Sequence, residues 1–511
     1  MASVRRRRSL LAENLRAQLV LLELANHMVT ESSAHGADNQ RRLLIPFVPA
    51  PKQKPEDRIK NWDESYLGYT MDLAVIEAER CIHCPAAPCQ DACPTGNDIP
   101  RALLFLEKGD INSAAAVFRE TSNLPDMCGR LCPQESLCEG SCVVGFAIRP
   151  APYGKQPPVS IGKLESFIAD YQRTHGGVPL PLIQPDTGRK AAIIGSGPAG
   201  LAVAEELRKQ GHTVTVFESW PVPGGVLLYG IPNFKMQKEV LQAKLDYLEK
   251  MGIEFKCSVK IGDEITLDDL FRQGYNAIFL GTGAPIGGQM KIEGEELANI
   301  YQATEFLVRG NLEPDLLPEA YRTPLDIQGK RVLVVGGGDT SMDCVRTAIR
   351  LGASEVTCMY RRTEAEQKGR EEERRHAVEE GTEFMYLTIP YRFVGEAGVV
   401  GAAECRKMQL GAPDESGRRR PEPIRGSEFV LDVDIVVLAI GYEPDDLLEK
   451  TTPGLRTTNW KTVRVDEDYQ TTRPGVFAGG DNVNGADLVV TAMADGRRAA
   501  EAIHNYLASL R

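Results

Sequence analysis

The chain has 511 residues, 42% of them hydrophobic and 25% charged, which at about 150 residues per domain makes room for roughly three domains with buried cores. Its 48 Gly and 32 Pro fall below the level that marks low-complexity sequence. Lys and Arg number 59 against 71 Asp and Glu, a net charge of -12, and such a balance gives no field to attract phosphate backbones, arguing against a nucleic-acid partner.

No run of about 18 apolar residues is present to span a bilayer. The start, MASVRRRRSLLAENLRAQLVLLEL, carries Arg5 to Arg8, but Glu13, Arg16 and Glu23 interrupt its apolar run, as a signal-peptide core would not allow. A cytoplasmic location is expected, an organellar transit peptide being the alternative. Residues 1–55 read as an N-terminal extension. In it Leu11, Leu15, Leu19 and Leu22 recur at helical spacing, as in a terminal helix packed on its own protein or a docking arm for a partner subunit.

Residues 56–173 read as a small helical domain that holds eight of the twelve cysteines. The first group is CIHCPAAPCQDACP, with Cys81, Cys84, Cys89 and Cys93; the second is MCGRLCPQESLCEGSC, with Cys128, Cys132, Cys138 and Cys142. Clustered thiols in a long chain without a signal peptide point to metal rather than disulfides. The first group is the bacterial ferredoxin run with its middle gap widened by two, so 4Fe-4S clusters are favoured over structural zinc, and eight thiolates suffice for two. By ferredoxin logic Cys81, Cys84 and Cys89 share one cluster and Cys93 serves the other; spacing leaves the remaining connectivity open.

Residues 174–188, THGGVPLPLIQPDTG, form a linker by composition. Beyond it the texture becomes short apolar runs ending in glycine, the pattern of parallel sheets covered by helices. The first fingerprint has a strand, Gly195, Gly197 and Gly200, a helix, and a second strand ending at Glu218. The glycines permit a tight turn and close approach to a pyrophosphate, and the acid accepts from ribose hydroxyls. The second fingerprint has Gly336 and Gly338, with Ser341 at the third position, and its second strand ends at Arg361 and Arg362. Guanidinium groups there suit a 2′-phosphate, hence NADPH over NADH. Arg370 is a further candidate phosphate contact. Arg418 to Arg420 sit in a turn-like stretch and read as solvated. Cys344 and Cys358 form no Cys-x2-Cys pair, so the exchangeable pair that a thioredoxin-reductase type of enzyme would need is not seen.

Together, CIHC, CGRLCP, CEGSC, PVSIGKLE, GSGPAG, PGGVLLYGIPNFK, GGGDTSMD, YRRTEAE, AIGYEP and AGGDNVNGADLVVTAMADG resemble the glutamate synthase small (beta) subunit family. That family includes the large subunit of ferredoxin:NADP oxidoreductases and the N-terminal half of dihydropyrimidine dehydrogenase. The resemblance implies an α/β architecture with an N-terminal helical iron–sulfur domain and two Rossmann-like domains. FAD would occupy residues 189–325 together with 446–511, and an inserted NADPH-binding domain residues 326–445. It implies flavin-side residues Gly225, Val226, Lys235, Leu131, Gly480 and Asp481, and adds Asp339 and Thr340 to the NADPH turn. It implies one cluster on Cys81, Cys84, Cys89 and Cys142 and the other on Cys93, Cys132, Cys138 and Glu165, with Cys128 not a ligand; an eight-cysteine assignment is the rival. Residues 1–44 exceed the family's usual start, and Gln367, Lys368 and Gly369 stand where relatives often carry an apolar-Pro stretch.

The activity implied is that of an NADPH-oxidising electron-transfer subunit passing electrons through FAD and 4Fe-4S clusters to a partner within a hetero-oligomer. The partner would be a glutamate synthase large subunit, or a ferredoxin or small flavin subunit in a bifurcating ferredoxin:NADP oxidoreductase. A colourless zinc scaffold with empty nucleotide folds is the reading from another class. No general acid or base is expected, because hydride transfer to a flavin rests on proximity and alignment.

Overall fold

The computed structural model describes residues 38–149, 154–413 and 419–510. The leucine-spaced segment at residues 11–22 lies outside them. Residues 38–53 pack on the helical domain: the buried Arg42 forks onto Glu107 at 2.8 and 2.9 Å and donates to the Cys81 carbonyl at 3.0 Å, and Tyr69 donates to the Val48 carbonyl at 2.6 Å.

Helices Met71–Ala78, Ile99–Glu107, Ile111–Thr121, Pro125–Leu131 and Ile161–Thr174 build this domain. Their starts are set by local chemistry. Asp98 accepts from the Arg101 N–H at 3.2 Å and Asp110 from the Ser113 N–H at 3.1 Å, so each carboxylate fills an orphan donor of the first turn. The apolar faces close over Leu103, Leu106, Phe118, Leu164 and Ile168, and Cys89, Cys138 and Cys142 belong to the same core.

Two five-stranded parallel sheets follow. The first runs Val476–Ala478, Ala277–Leu280, Lys190–Ile194, Thr213–Phe217, Glu254–Lys256. Its edge strand comes from near the C-terminus and pairs Val476 with Ile278 and Ala478 with Leu280. The second runs Ile300–Gln302, Ile435–Leu438, Arg331–Val335, Glu355–Tyr360, Glu383–Tyr386. Ile300–Gln302 pairs with Ile435–Leu438, so a segment expected on the flavin side, within 189–325, adds a strand to the second sheet instead. The pattern near residue 300 is too short to reveal its partner. A further antiparallel unit of Thr388–Glu396, Val399–Pro413, Arg419–Pro423 and Phe429–Asp432 packs beside the second sheet. There Arg419 is a strand residue rather than part of a turn, though exposed as expected: it donates to the Leu410 carbonyl at 2.9 Å.

Candidate redox site

The first fingerprint turn is built by backbone crowding. Gly195 has φ +97°, and a Cβ there would stand 2.4 Å from the Gly281 carbonyl oxygen; a Cβ on Gly200 would stand 2.0 Å from the Gly195 oxygen. Both positions must be glycine for the helix Pro198–Lys209 to start against its strand. Gly197 differs, since nothing lies within 4 Å of its Cβ direction, which leaves the helix N-terminus open to an anion. Glu218 is buried; its Oε2 accepts from the Ser196 N–H at 3.1 Å and its Oε1 from the Trp220 N–H at 2.9 Å. It therefore braces the turn.

Two segments remote in sequence close this site. Gly225, at φ +53°, would carry its Cβ 2.9 Å from Gly197 Cα and caps the short helix Val226–Tyr229, where Val226 is 49% exposed. Gly480, at φ +81°, would meet Ala199 at 3.1 Å and precedes Asp481, whose carboxyl is pushed up to about 6 by burial, against a stabilising hydrogen bond from the Asp487 backbone. Asp495 is a residue that sequence reading passed over: it accepts from the Gly480 N–H at 3.2 Å and anchors the GGD turn. Gly496 beside it brings the final helix against Ala199, where a Cβ would stand 2.4 Å from the carbonyl oxygen. The only sequence signal for either was the ADG triplet, read as part of a motif rather than as a support.

The second fingerprint repeats the design. Gly336 would drive a Cβ to 2.2 Å from the Ala439 oxygen, Gly337 would strike the Tyr360 ring at 2.5 Å, and Gly338 is open. Ser341 is fully buried, as a stand-in for the third glycine must be. Asp339 and Thr340 open the helix Asp339–Arg350. Arg361 is exposed at the end of Glu355–Tyr360, and Arg362 is buried, donating to the Arg419 carbonyl at 3.1 Å. Arg370 does not join them. Its guanidinium points to the cysteine domain, donating to the Arg130 carbonyl at 3.0 Å and Gln134 Oε1 at 2.8 Å, so those donors are already engaged away from the Arg pair. Lys235 reaches across the two nucleotide folds to Asp343 at 2.9 Å, both groups buried.

The cysteines gather into two sets. Cys81, Cys84, Cys89 and Cys142 line one cavity, closed by apolar neighbours such as Ile82 and Leu103. Cys93, Cys128, Cys132, Cys138 and Glu165 gather as the second set, the Cys128 and Cys132 thiols sharing a hydrogen bond. Among the described residues no three His, Cys, Asp or Glu side chains converge closely enough for a single ion; the first set's thiols are spread around a cavity wall. Burial pushes the Glu165 carboxyl well above the usual range, nearby Cys128 and Cys93 adding to the rise. A buried carboxylate among thiols gains its ionised form from a positive centre placed between them, so this donor set fits a metal cluster. Leu131 and Cys132 pack on the core that contains Ala199, Leu227 and Leu228, which sets the second cysteine group directly against the first nucleotide fold.

The pyridine nucleotide-disulphide oxidoreductase family matches residues 189–496. The chain belongs to that family. Residues 58–177 match the 4Fe-4S domain II of dihydropyrimidine dehydrogenase. The chain is 39% identical over 477 residues to the glutamate synthase [NADPH] small chain of Azospirillum brasilense, covering 92% of this chain and 97% of the relative. It is 35% identical over 476 residues to the NADPH-Fe(3+) oxidoreductase subunit beta of Geobacter sulfurreducens, covering 88% and 68%. Mycobacterium tuberculosis FprA shares the fold, with a TM-score of 0.54 at 20% identity, over 64% of this chain and 85% of that one. The chain is thus an oxidoreductase of the flavin and pyridine-nucleotide class carrying a 4Fe-4S domain. No helix among the described residues is long and apolar enough to cross a membrane.

Proposed function

We propose that this chain is the electron-input subunit of a hetero-oligomeric, cytoplasmic oxidoreductase. NADPH docks at the turn Gly336–Thr340 with Arg361 and Arg362 at its 2′-phosphate, FAD lies on Gly195, Gly197, Gly200 and Glu218, and two 4Fe-4S clusters occupy the cysteine sets. FAD, when bound, takes a hydride as an electron pair and releases electrons singly, and each cluster carries one. The residues themselves supply placement: glycine turns admit the two pyrophosphates, Gly225 and Val226 border the flavin side of the first turn, and the buried Lys235–Asp343 pair fixes the spacing of the two folds.

The observation that carries this reading is the seat of Leu131 and Cys132 on the core of the first nucleotide fold, which gives a flavin there a protein-buried route to the second cysteine set. For that set we favour Cys93, Cys132, Cys138 and Glu165 as ligands. Support for a partner comes from the relatives: one is a glutamate synthase small chain, another the beta subunit of an NADPH-Fe(3+) oxidoreductase. The first favours a glutamate synthase large subunit as acceptor; the second shows that related chains are named for other acceptors, so a ferredoxin or flavin subunit is the alternative. The test is anaerobic purification with any co-purifying chain. One FAD and about eight iron and eight labile sulfide per chain are expected, with flavin absorbance bleached by NADPH and cluster EPR signals appearing afterwards. Stoichiometric zinc without colour, or flavin that NADPH leaves oxidised, overturns the reading.

A further inference from the structure

The segment of residues 369–372 bridges the second fingerprint and the cysteine domain, and it is held at both ends. On the nucleotide side the Gly369 N–H donates to the Gly337 carbonyl at 3.2 Å. A Cβ on Gly369 would lie 3.0 Å from the Gly338 carbonyl carbon and 3.2 Å from the Asp339 nitrogen, so the two backbones touch. The Arg370 N–H donates to Asp339 Oδ1 at 2.9 Å, engaging the first carboxylate of the helix whose N-terminus faces the nucleotide.

On the other side the buried guanidinium of Arg370 grips the segment that carries Cys132 and Cys138. Besides its bonds to the Arg130 carbonyl and Gln134 Oε1, the neighbouring Glu371 N–H donates to Glu135 Oε1 at 3.0 Å. Gln134 passes the contact on, donating to the Gly129 carbonyl at 3.0 Å, while its own carbonyl accepts from the Glu139 and Gly140 N–H groups at 3.0 Å. It is wedged in place, since a Cβ on Gly162 would fall 2.3 Å from its Nε2. A planar five-donor fork that bonds the Arg130 carbonyl, the Gln134 amide oxygen and, at 3.2 Å, the Glu372 carboxylate fixes an angle as well as a distance, which a lysine cannot do.

We infer that Arg370 is a positioning residue that couples occupancy of the second nucleotide site to the metal centre on Cys93, Cys132 and Cys138. This rests on the assignments proposed above for NADPH and for that centre. A nucleotide that draws on the Gly337–Asp339 backbone moves Gly369 and Arg370 with it, and the strain reaches the hydrogen-bonded loop between Cys132 and Cys138. Hydrogen bonding around cluster ligands is one of the terms that set a cluster's potential. By linkage, reducing the cluster then changes nucleotide affinity by the same factor.

The experiment uses 2′-phospho-ADP-ribose, which keeps the phosphates of NADP but cannot accept hydride. Its affinity is measured calorimetrically on oxidised and on dithionite-reduced protein, and the cluster potential by EPR-monitored redox titration with and without it. A change of about tenfold in affinity is expected, equivalent to about 59 mV for one electron. In Arg370→Met and in Gln134→Leu the change falls below about twofold, while Arg370→Lys recovers only part of it. A bound analogue that leaves the wild-type EPR potential unmoved overturns the coupling without reference to any variant. So does a full shift retained in both Arg370→Met and Gln134→Leu. An analogue that fails to bind, or a missing cluster signal, overturns the underlying assignments and the coupling together, and is told apart from those results by the binding isotherm itself.

Discussion

Two glycines three residues apart on the first fingerprint separate folding from cofactor binding. Gly197 has φ -71° and open space in its Cβ direction, so Gly197→Ala adds a methyl that the apo fold accommodates, with a stability change within about 0.5 kcal/mol. The same methyl occupies the approach of a pyrophosphate to the helix N-terminus. Losing one or two hydrogen bonds to a charged group, at about 1.5–3 kcal/mol each, weakens FAD binding by ten- to more than a hundredfold. Gly200→Ala has the reverse profile. Its Cβ would sit 2.0 Å from the Gly195 oxygen and 3.3 Å from Ile193 Cγ2, and relieving such overpacking costs about 1–3 kcal/mol. At about 2–4 °C per kcal/mol for a domain of 150–250 residues, its apo melting temperature drops by several degrees. Apo thermal melts and fluorescence titration with FAD measure the two quantities on the same samples. If Gly197→Ala binds FAD as tightly as wild type, or Gly200→Ala melts with it, the reading of the turn is wrong.

The remaining predictions concern charge. Arg346, fully buried, bonds Glu373 at 2.5 Å, Glu380 at 2.9 Å and Ser65 at 2.6 Å; Arg346→Met strands Glu373 and lowers stability by about 3–5 kcal/mol in denaturant unfolding. Arg361→Ala raises KM for NADPH about tenfold and leaves KM for NADH in place, read by steady-state kinetics with each nucleotide. Glu165→Gln releases about half of the iron while Cys128→Ser keeps it, by iron assay and EPR; the opposite result hands the eighth ligand to Cys128. Burial, with His504 and Arg189 alongside, lowers His212 to about 4, so the unfolded chain binds its proton near 6.5 and the folded chain does not. Stability from this group is full above about 6.5 and is lost as pH falls toward 4. His212→Gln therefore flattens part of the urea midpoint's fall over that window; His376, also lowered to about 4, supplies another part.

Features written locally in the chain were legible: glycine turns after apolar strands and the cysteine spacing state their geometry within a few residues. What sequence reading missed depends on distant partners. Arg370 carried the right charge for a phosphate, but its side chain is claimed by Arg130 and Gln134, over two hundred residues earlier. Ile300–Gln302 is three residues long and becomes a strand only through Ile435–Leu438. The antiparallel unit after Thr388 escaped notice because its alternation is broken by bulges near Pro390 and Val394.

The strand Val476–Ala478 carries a consequence for synthesis. Its neighbour Ala277–Leu280 leaves the ribosome roughly two hundred residues earlier, so the first nucleotide sheet keeps a raw edge while the entire second nucleotide unit is made. The inserted unit has the chance to fold first, and the edge waits on a non-local, entropically slow closure. A stalled or C-terminally clipped chain thus exposes a hydrogen-bonding edge, the kind that recruits chaperones or other chains.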